Sequence, residues 1–228
     1  MNWKAKLYKQ NKLCVLVIVS LLLFNCKNDT RKQLDSRVTN LPFYKEASFT
    51  PHWLESGSEA QKTFHQIPAF SLTNQEGETI TEATFKDKIY VTDFFFTTCP
   101  GICPKMTANM NILQQEFKTD AEILLLSHSV TPEIDSVSVL KSYAENKGIE
   151  SNKWHLVTGE RSQIYDLGRN HYFVEEDLGE TKTNDDFLHT ENFVLIDKNR
   201  QIRGIYNGLN KTAVQQLIAD IKTLQLEN

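Results

Sequence analysis

Two cysteines, Cys99 and Cys103, stand four positions apart directly behind the apolar run 89–96. A cysteine pair at the point where a buried strand turns into a helix places both sulfur atoms on one face of the first helical turn. At that spacing the two thiols can close a disulfide or bind one soft metal ion. The free N–H groups at a helix N-terminus also lower the pKa of a thiol. The pair therefore predicts redox or metal chemistry.

The elements around the pair alternate between strands and helices. Apolar runs predict strands at 70–73, 78–81, 88–96, 123–126, 154–157, 193–196 and 202–206. Apolar residues at spacings of three and four predict helices at 104–117, 131–148, 162–170 and 214–224. The second of these helices is predicted to start with Thr131 as its N-cap and Pro132 in its first turn. The order is an α/β pattern that resembles the thioredoxin fold, with an added N-terminal β-hairpin and a strand–helix insert.

A histidine stands where thioredoxin-type oxidoreductases carry a proline that faces the disulfide. No proline follows Pro132, and His189 occupies the position ahead of the predicted strand 193–196. An imidazole opposite two thiols makes a Cys2His set, which suits copper, above all Cu(I). Zinc, which would require a fourth ligand, is the second candidate. A single histidine is more often a core residue bonded to backbone groups, so the metal assignment depends on the two cysteines.

Three segments, in this order, resemble the Sco/SenC family of copper-binding, thioredoxin-like proteins. They are 90–106 around the cysteines, 129–135, and 188–197 around the histidine. The resemblance covers about residues 66–226. Gly101 departs from the family pattern, which most often has Asp there.

The resemblance implies a function. It implies that Cys99, Cys103 and His189 bind one copper ion. It also implies that the protein delivers copper to, or reduces the cysteines of, the binuclear copper centre of cytochrome c oxidase. The expected partner is therefore the copper subunit of a respiratory oxidase, or another copper or thiol acceptor protein. Thr131 replaces the Asp that the family usually has before Pro132, and neither this change nor the glycine removes a ligand.

Two other kinds of protein remain as alternatives. A thiol–disulfide reductase would use Cys99 and Cys103 as a redox-active disulfide without an obligatory metal, and it would not need His189. A peroxidase-type thiol protein would require Thr three residues before its nucleophile and an activating Arg. Phe96 stands in that place, and no Arg lies between Arg37 and Arg161, so this second alternative is disfavoured.

The N-terminus predicts export from the cytoplasm. Four lysines precede the apolar stretch 13–24, which at ~1.5 Å per residue spans only ~18 Å, less than the ~30 Å of a bilayer core. A basic start and a short apolar core are typical of a signal peptide. Cys26, with Leu23 three residues before it, resembles a bacterial lipobox, so we expect Cys26 to be lipidated and to attach the protein to a membrane. An uncleaved N-terminal helix is the alternative.

Charge and composition agree with an exported single-domain protein. The predicted organisation is a signal peptide at 1–25, a tether at 26–66 and a thioredoxin-like copper-binding domain at 67–228. Aromatic residues in the second half of the tether predict that this part lies extended against the domain. The net charge of −4, without a basic cluster beyond the N-terminus, gives no support for nucleic-acid binding, so no nucleic-acid partner is expected.

Four other residues are of types that can bind a metal ion, but they are interpreted differently. Met106 and Met110 lie on the predicted core stripe of their helix and are interpreted as core residues. His128 follows a buried strand and is interpreted as structural. Asp93 lies on the central strand near the cysteines, where a partly buried carboxylate could hold the loop or tune the thiols.

Overall fold

The computed structural model describes residues 35–175, 187, 188 and 190–227. In this part of the chain the strands are β1 Ser71–Asn74, β2 Thr79–Thr81, β3 Ile89–Phe95, β4 Ile123–Ser129, β5 Trp154–Thr158, β6 Asn192–Ile196 and β7 Ile202–Asn207. They form one sheet in the order β2-β1-β5-β4-β3-β6-β7. The predicted signal peptide and Cys26 lie outside the described residues.

The sheet has a parallel centre with antiparallel strands on each side. β3 pairs in parallel with β4, and β4 with β5. On one side β6 runs antiparallel to β3, and β7 to β6. On the other side the hairpin of β1 and β2 joins β5. Every residue of β3 and β4 is buried, as expected for central strands covered on both faces, and their carboxyl ends meet at one edge of the sheet.

Helices cover both faces of this sheet. The α-helices of the described chain are α1 Glu59–Lys62, α2 Cys103–Glu116, α3 Val137–Lys147, α4 Arg161–Asp166 and α5 Lys211–Leu224. Apolar side chains of α2, α3 and α5 pack in one cluster, and those of α4 pack in a second cluster with the β1–β2 hairpin. A π-turn, Leu167–His171, continues α4. None of the described helices is long and apolar enough to cross a membrane.

The predicted start of α3 is wrong. Residues 131–134 form only a single turn, and the helix begins at Val137 with Ser136 as its N-cap. The Thr131 hydroxyl donates to the Asp135 carboxylate and therefore does not cap a helix. The Ser136 side chain, on extended backbone, accepts from the Val139 N–H instead. The helix ends where predicted, at Gly148, which has a left-handed φ of 67°.

Part of the N-terminal segment lies against the sheet, as the aromatic residues predicted. Leu41 and Phe43 are buried, and Tyr44 forms a β-bridge with Ile202 of β7. The segment differs from the prediction in two respects. It contains the short helix α1, and Trp53 is 60% exposed, so this aromatic side chain is not used for packing.

Candidate metal and redox centre

The cysteine loop joins the carboxyl end of β3 to the start of α2. Cys99 lies in this loop, where its N–H donates to the Phe96 carbonyl at 3.3 Å. Cys103 is the first residue of α2, and Pro104 follows it in the first turn, where the missing N–H of proline costs no helical hydrogen bond. Both cysteines are free thiols, with Cys99 half-buried and Cys103 buried. The structure thus brings the two predicted cysteines together at a helix N-terminus.

The pKa values of the two thiols are shifted in opposite directions. Burial raises the pKa of Cys99, but hydrogen bonds from the Cys103 thiol and from the N–H groups of Cys103, Gly101 and Ile102 outweigh it, so the pKa of Cys99 is lowered. Burial, and then the hydrogen bond to Cys99, raise the pKa of Cys103 to about 12. The half-exposed Cys99 is therefore the stronger nucleophile and the first soft ligand available to an incoming metal ion.

His189 itself lies outside the described residues, but its neighbours in the chain contact the cysteine strand. The Phe187 ring packs edge-on against Phe96, with ring centroids 5.3 Å apart. Leu188 is buried in the apolar cluster that contains Phe94. On the other side, the Thr190 hydroxyl donates to the Val174 carbonyl at 2.6 Å. The segment that carries the predicted third ligand is thus attached next to the end of β3.

Asp93 is a buried acid within electrostatic range of the cysteines. It is 2% exposed, and its carboxylate accepts a hydrogen bond from Ser127, whose oxygen accepts in turn from the Trp154 indole N–H at 2.8 Å. Burial raises the pKa of Asp93 to about 7, although the hydrogen bond from Ser127 opposes the shift. A negative charge on Asp93 also raises the pKa of Cys103. Its position supports the interpretation that it tunes the thiols.

Asp135 is a residue of this centre that the sequence analysis did not single out. Its fully buried carboxylate accepts from the Thr97 N–H at 3.2 Å and from the Thr97 hydroxyl at 2.5 Å. The hydroxyls of Ser129 and Thr131 donate to the same carboxylate at 2.6 and 3.1 Å. The sequence signal that could have identified it is its place at the end of the segment 129–135. In that segment Ser129, Thr131 and Pro132 follow the predicted strand 123–126 and precede this acid.

Three other candidate ligands are buried in the apolar interior of the domain. His128 is fully buried on the other face of the sheet, stacked on Phe94 at 4.6 Å, and burial lowers its pKa to about 3. Met106 and Met110 are buried in the core. The structural interpretation of these three residues is therefore confirmed. Within the described ranges, no group of three or more His, Cys, Asp or Glu side chains has the geometry to bind a metal ion.

The profile of one protein family, described as SCO1/SenC, matches residues 58–225. This stretch is more than half of the chain and contains both cysteines and the segment around position 189. The chain belongs to the SCO1/SenC family. The membership indicated by the three sequence segments is confirmed, and so is the thioredoxin-like fold.

Three matches to SCO1/SenC proteins show how close the similarity is. The SCO1 protein homolog of Bacillus subtilis is 30% identical over 163 residues, which are 70% of this chain and 82% of the relative. A SCO1/SenC family lipoprotein from Bacillus anthracis has 30% identity and a TM-score of 0.62, over 71% of this chain and 95% of that one. BsSco, described as a cytochrome c oxidase assembly protein with a disulfide switch, has 28% identity and a TM-score of 0.58, over 70% and 93%.

Gly101 stands between the two cysteines of this SCO1/SenC protein. A Cβ atom at Gly101 would meet nothing within 4 Å, and its φ lies outside the left-handed region. Neither crowding nor backbone conformation therefore requires glycine here. What the glycine does is leave the thiols without a charged side chain between them.

Proposed function

We propose that this protein binds one copper ion through Cys99, Cys103 and His189 outside the cytoplasm. It delivers that ion to the binuclear copper centre of a respiratory oxidase, or reduces the cysteines of that centre. Its partner is the copper subunit of the oxidase, or another copper or thiol acceptor protein. Copper is here the cargo, and metal transfer proceeds by exchange of ligands between donor and acceptor.

One feature of the structure supports this function above the others, namely the pair of free thiols at the N-terminus of α2. Cys99 is half-exposed, and three backbone N–H groups stabilise its thiolate. Two thiolates and an imidazole are soft and borderline ligands that favour Cu(I) over harder divalent ions. A ligand exposed on one side also gives an acceptor protein access to the ion.

The family supports the physiological setting. BsSco, at 28% identity, is described as a member of a family of cytochrome c oxidase assembly proteins. Yeast Sco1, a more distant member, has been solved with copper bound, although at that distance the likeness establishes only the shared fold. The case for copper in this chain therefore depends on its own thiols.

Reduction of a partner disulfide is a second function that the pKa difference supports. The Cys99 thiolate would attack one sulfur of the partner disulfide, forming a mixed disulfide and releasing one partner thiolate. Cys103, after losing its proton, would then attack Cys99, which forms the Cys99–Cys103 disulfide and releases the second partner thiol. The two electrons pass from the cysteine pair to the partner. This reaction does not require His189.

Membrane attachment belongs to the same proposal. Lipidation of Cys26 would attach the protein to a membrane outside the cytoplasm. The similar Bacillus anthracis protein is described as a lipoprotein. Incorporation of a radiolabelled fatty acid into the wild-type chain, and its loss in Cys26→Ser, would test this part.

Anaerobic titration with Cu(I) tests the metal function. The full-length chain is used in detergent with Cys14→Ser and Cys26→Ser, so that Cys99 and Cys103 supply all the thiols. We expect one tightly bound ion, and a loss of affinity on the order of tenfold to a hundredfold in His189→Ala. His171→Ala is a matched control that removes another imidazole and should leave the affinity unchanged.

The same titration can reject the proposal. Weak binding by the parent chain, or affinity that does not change in His189→Ala, would rule out the Cys2His site. Disulfide reduction would then be tested with the same variants. Activity that survives His189→Ala but is lost in Cys99→Ser would favour the reductase.

A further inference from the structure

Within the described chain, few hydrogen bonds between backbone groups hold the loop that carries Cys99. The Cys99 N–H donates to the Phe96 carbonyl at 3.3 Å, which is long for a hydrogen bond between backbone groups. Two residues before Cys99, Thr97 donates both its N–H and its hydroxyl to the Asp135 carboxylate. These two bonds fix the backbone and the side chain of Thr97 at once. They therefore restrain the direction in which the chain approaches Cys99.

We propose that Asp135 is a positioning residue for Cys99 and acts on it through Thr97. As far as it concerns copper, the proposal rests on the function proposed above, in which Cys99 is a ligand. Asp135 does not touch the metal site in this assignment. It holds the end of β3 so that the Cys99 sulfur lies within reach of the N–H groups at the start of α2.

The surroundings of Asp135 make it rigid enough for this role. A carboxylate that is 0% exposed needs several hydrogen-bond donors to remain favourable. Ser129 and Thr131 supply two donors from the end of β4 and the following turn. The Val130 N–H, bonded to the Phe95 carbonyl at 2.9 Å, continues the pairing of β3 and β4 beyond the strand ends. Asp135 is thus fixed on one side by its own segment and holds Thr97 on the other.

The position of the Cys99 sulfur matters because its stabilisation is directional. The N–H groups of Gly101, Ile102 and Cys103 and the Cys103 thiol form hydrogen bonds with the Cys99 sulfur. A shift of a few tenths of an ångström to one ångström weakens all of these hydrogen bonds together. Loss of the contact between Thr97 and Asp135 should therefore weaken Cu(I) binding and make the dithiol less stable relative to the disulfide.

The chain offers a matched pair of substitutions. Thr97→Val removes a hydroxyl that donates to Asp135 from the cysteine loop. Thr131→Val has the same change of shape and removes a hydroxyl that donates to the same carboxylate from outside that loop. Thr97→Ser keeps the hydroxyl and serves as the rescue variant. All three are made in the full-length chain with Cys14→Ser and Cys26→Ser.

Two properties are measured on each variant, together with its urea midpoint. One is Cu(I) affinity, by competition with a chromophoric chelator. The other is the equilibrium constant between dithiol and disulfide in a glutathione buffer, which does not involve copper. We expect Thr97→Val to lose on the order of tenfold in copper affinity and to shift the equilibrium roughly threefold toward the disulfide. Thr131→Val and Thr97→Ser should stay within about twofold of the parent chain in both.

The outcomes separate this inference from the proposed function. If the parent chain binds Cu(I) tightly and Thr97→Val changes neither property, the positioning role is wrong and the copper function stands. Equal effects of Thr97→Val and Thr131→Val, with equal falls in the urea midpoint, would also overturn it, because they would show a general loss of structure. If the parent chain does not bind Cu(I), the copper function fails, and the dithiol equilibrium alone decides whether Asp135 positions Cys99.

Discussion

The two ends of the sheet stabilise buried carboxylates in different ways. At the end that carries Cys99, Asp93 and Asp135 accept hydrogen bonds from hydroxyl and N–H groups that are neutral. At the opposite end, Asp197 is 5% exposed and pairs with the guanidinium of Arg203 at 3.3 Å. The contacts at the cysteine end thus contain no cation, whereas those at the opposite end include a guanidinium.

The cation-bearing end connects three parts of the chain. Arg203 pairs with Glu227 near the C-terminus, donates to the carbonyls of Leu41 and Pro42, and lies 3.9 Å from the centroid of the Phe43 ring. These contacts hold the N-terminal segment and the C-terminus on the sheet. A buried charge that is fully paired is costly to disrupt, so this end serves stability. At the cysteine end, the charge of Asp93 still acts on Cys103, whose pKa it raises.

The largest effect is expected at the stabilising end. Arg203→Ala leaves the buried carboxylate of Asp197 and the partly buried carboxylate of Glu227 without their cation, and we expect the free energy of unfolding to fall by about 3–5 kcal/mol. Copper affinity should stay within about twofold, since the change is at the far end of the sheet. Urea unfolding and Cu(I) competition measure the two properties.

Two further variants complete this test. Lys222→Ala removes an ion pair whose side chains are each 39% exposed, and it should cost less than about 1 kcal/mol. Glu227→Gln is a milder change if Arg203→Ala does not fold. A loss of copper affinity in Arg203→Ala as great as that in Thr97→Val would show that the two ends are not independent.

A pH-dependent effect is expected from Asp93. The unfolded chain has the ordinary pKa of about 3.8, and the folded protein has about 7. Between these values the folded protein binds the extra proton, so the contribution of Asp93 to stability falls as the pH rises from about 4 to about 7 and is then constant. The fall is on the order of 4 kcal/mol. In Asp93→Asn the stability should not show this fall.

Urea midpoints of wild type and Asp93→Asn across this pH range measure the difference. Asp87→Asn is the control, because Asp87 is exposed and its left-handed φ of 59° is tolerated by Asn. If the urea midpoints of wild type and Asp93→Asn change with pH in parallel, Asp93 keeps an ordinary pKa in the folded protein. That result would contradict the proposed contrast between the two ends of the sheet.

The smallest effect is expected from adding a charge at the cysteine end. Gly101→Asp places a carboxylate in open space beside the thiols, and it should raise the pKa of Cys99 by about half a unit to one unit, less at high salt. The rate of Cys99 alkylation as a function of pH measures this shift. Gly101→Asn has nearly the same shape without the charge. If Asn and Asp shift the profile equally, the effect comes from the side chain's volume and not from its charge.

Local sequence was sufficient to predict most of the elements. The apolar run before the cysteines and Pro104 behind them led to β3 and α2, because both signals depend on adjacent residues. The start of α3 could not be predicted in the same way. Thr131 and Ser136 are both good N-caps, and the choice between them depended on the contact of Thr131 with Asp135 in the folded chain.

The candidate site could be predicted only in part, because some of its contacts join residues that are far apart in sequence. Asp135 is 38 residues from Thr97 in sequence, and no local pattern shows that their side chains meet. Asp93 could be recognised as a buried acid on a central strand. Its effect on Cys103, however, depends on how α2 packs over β3.

The sequence by itself determined that two thiols stand at the start of a helix behind a buried strand, because spacing and strand-to-helix order are local properties. The family and the thioredoxin-like fold followed from three segments and the order of elements. Only the tertiary structure decided that Cys99 is the half-exposed thiol of lowered pKa and Cys103 the buried thiol of raised pKa. That difference arises from burial and from the direction of N–H groups, which exist only once the loop, β3 and α2 have packed together.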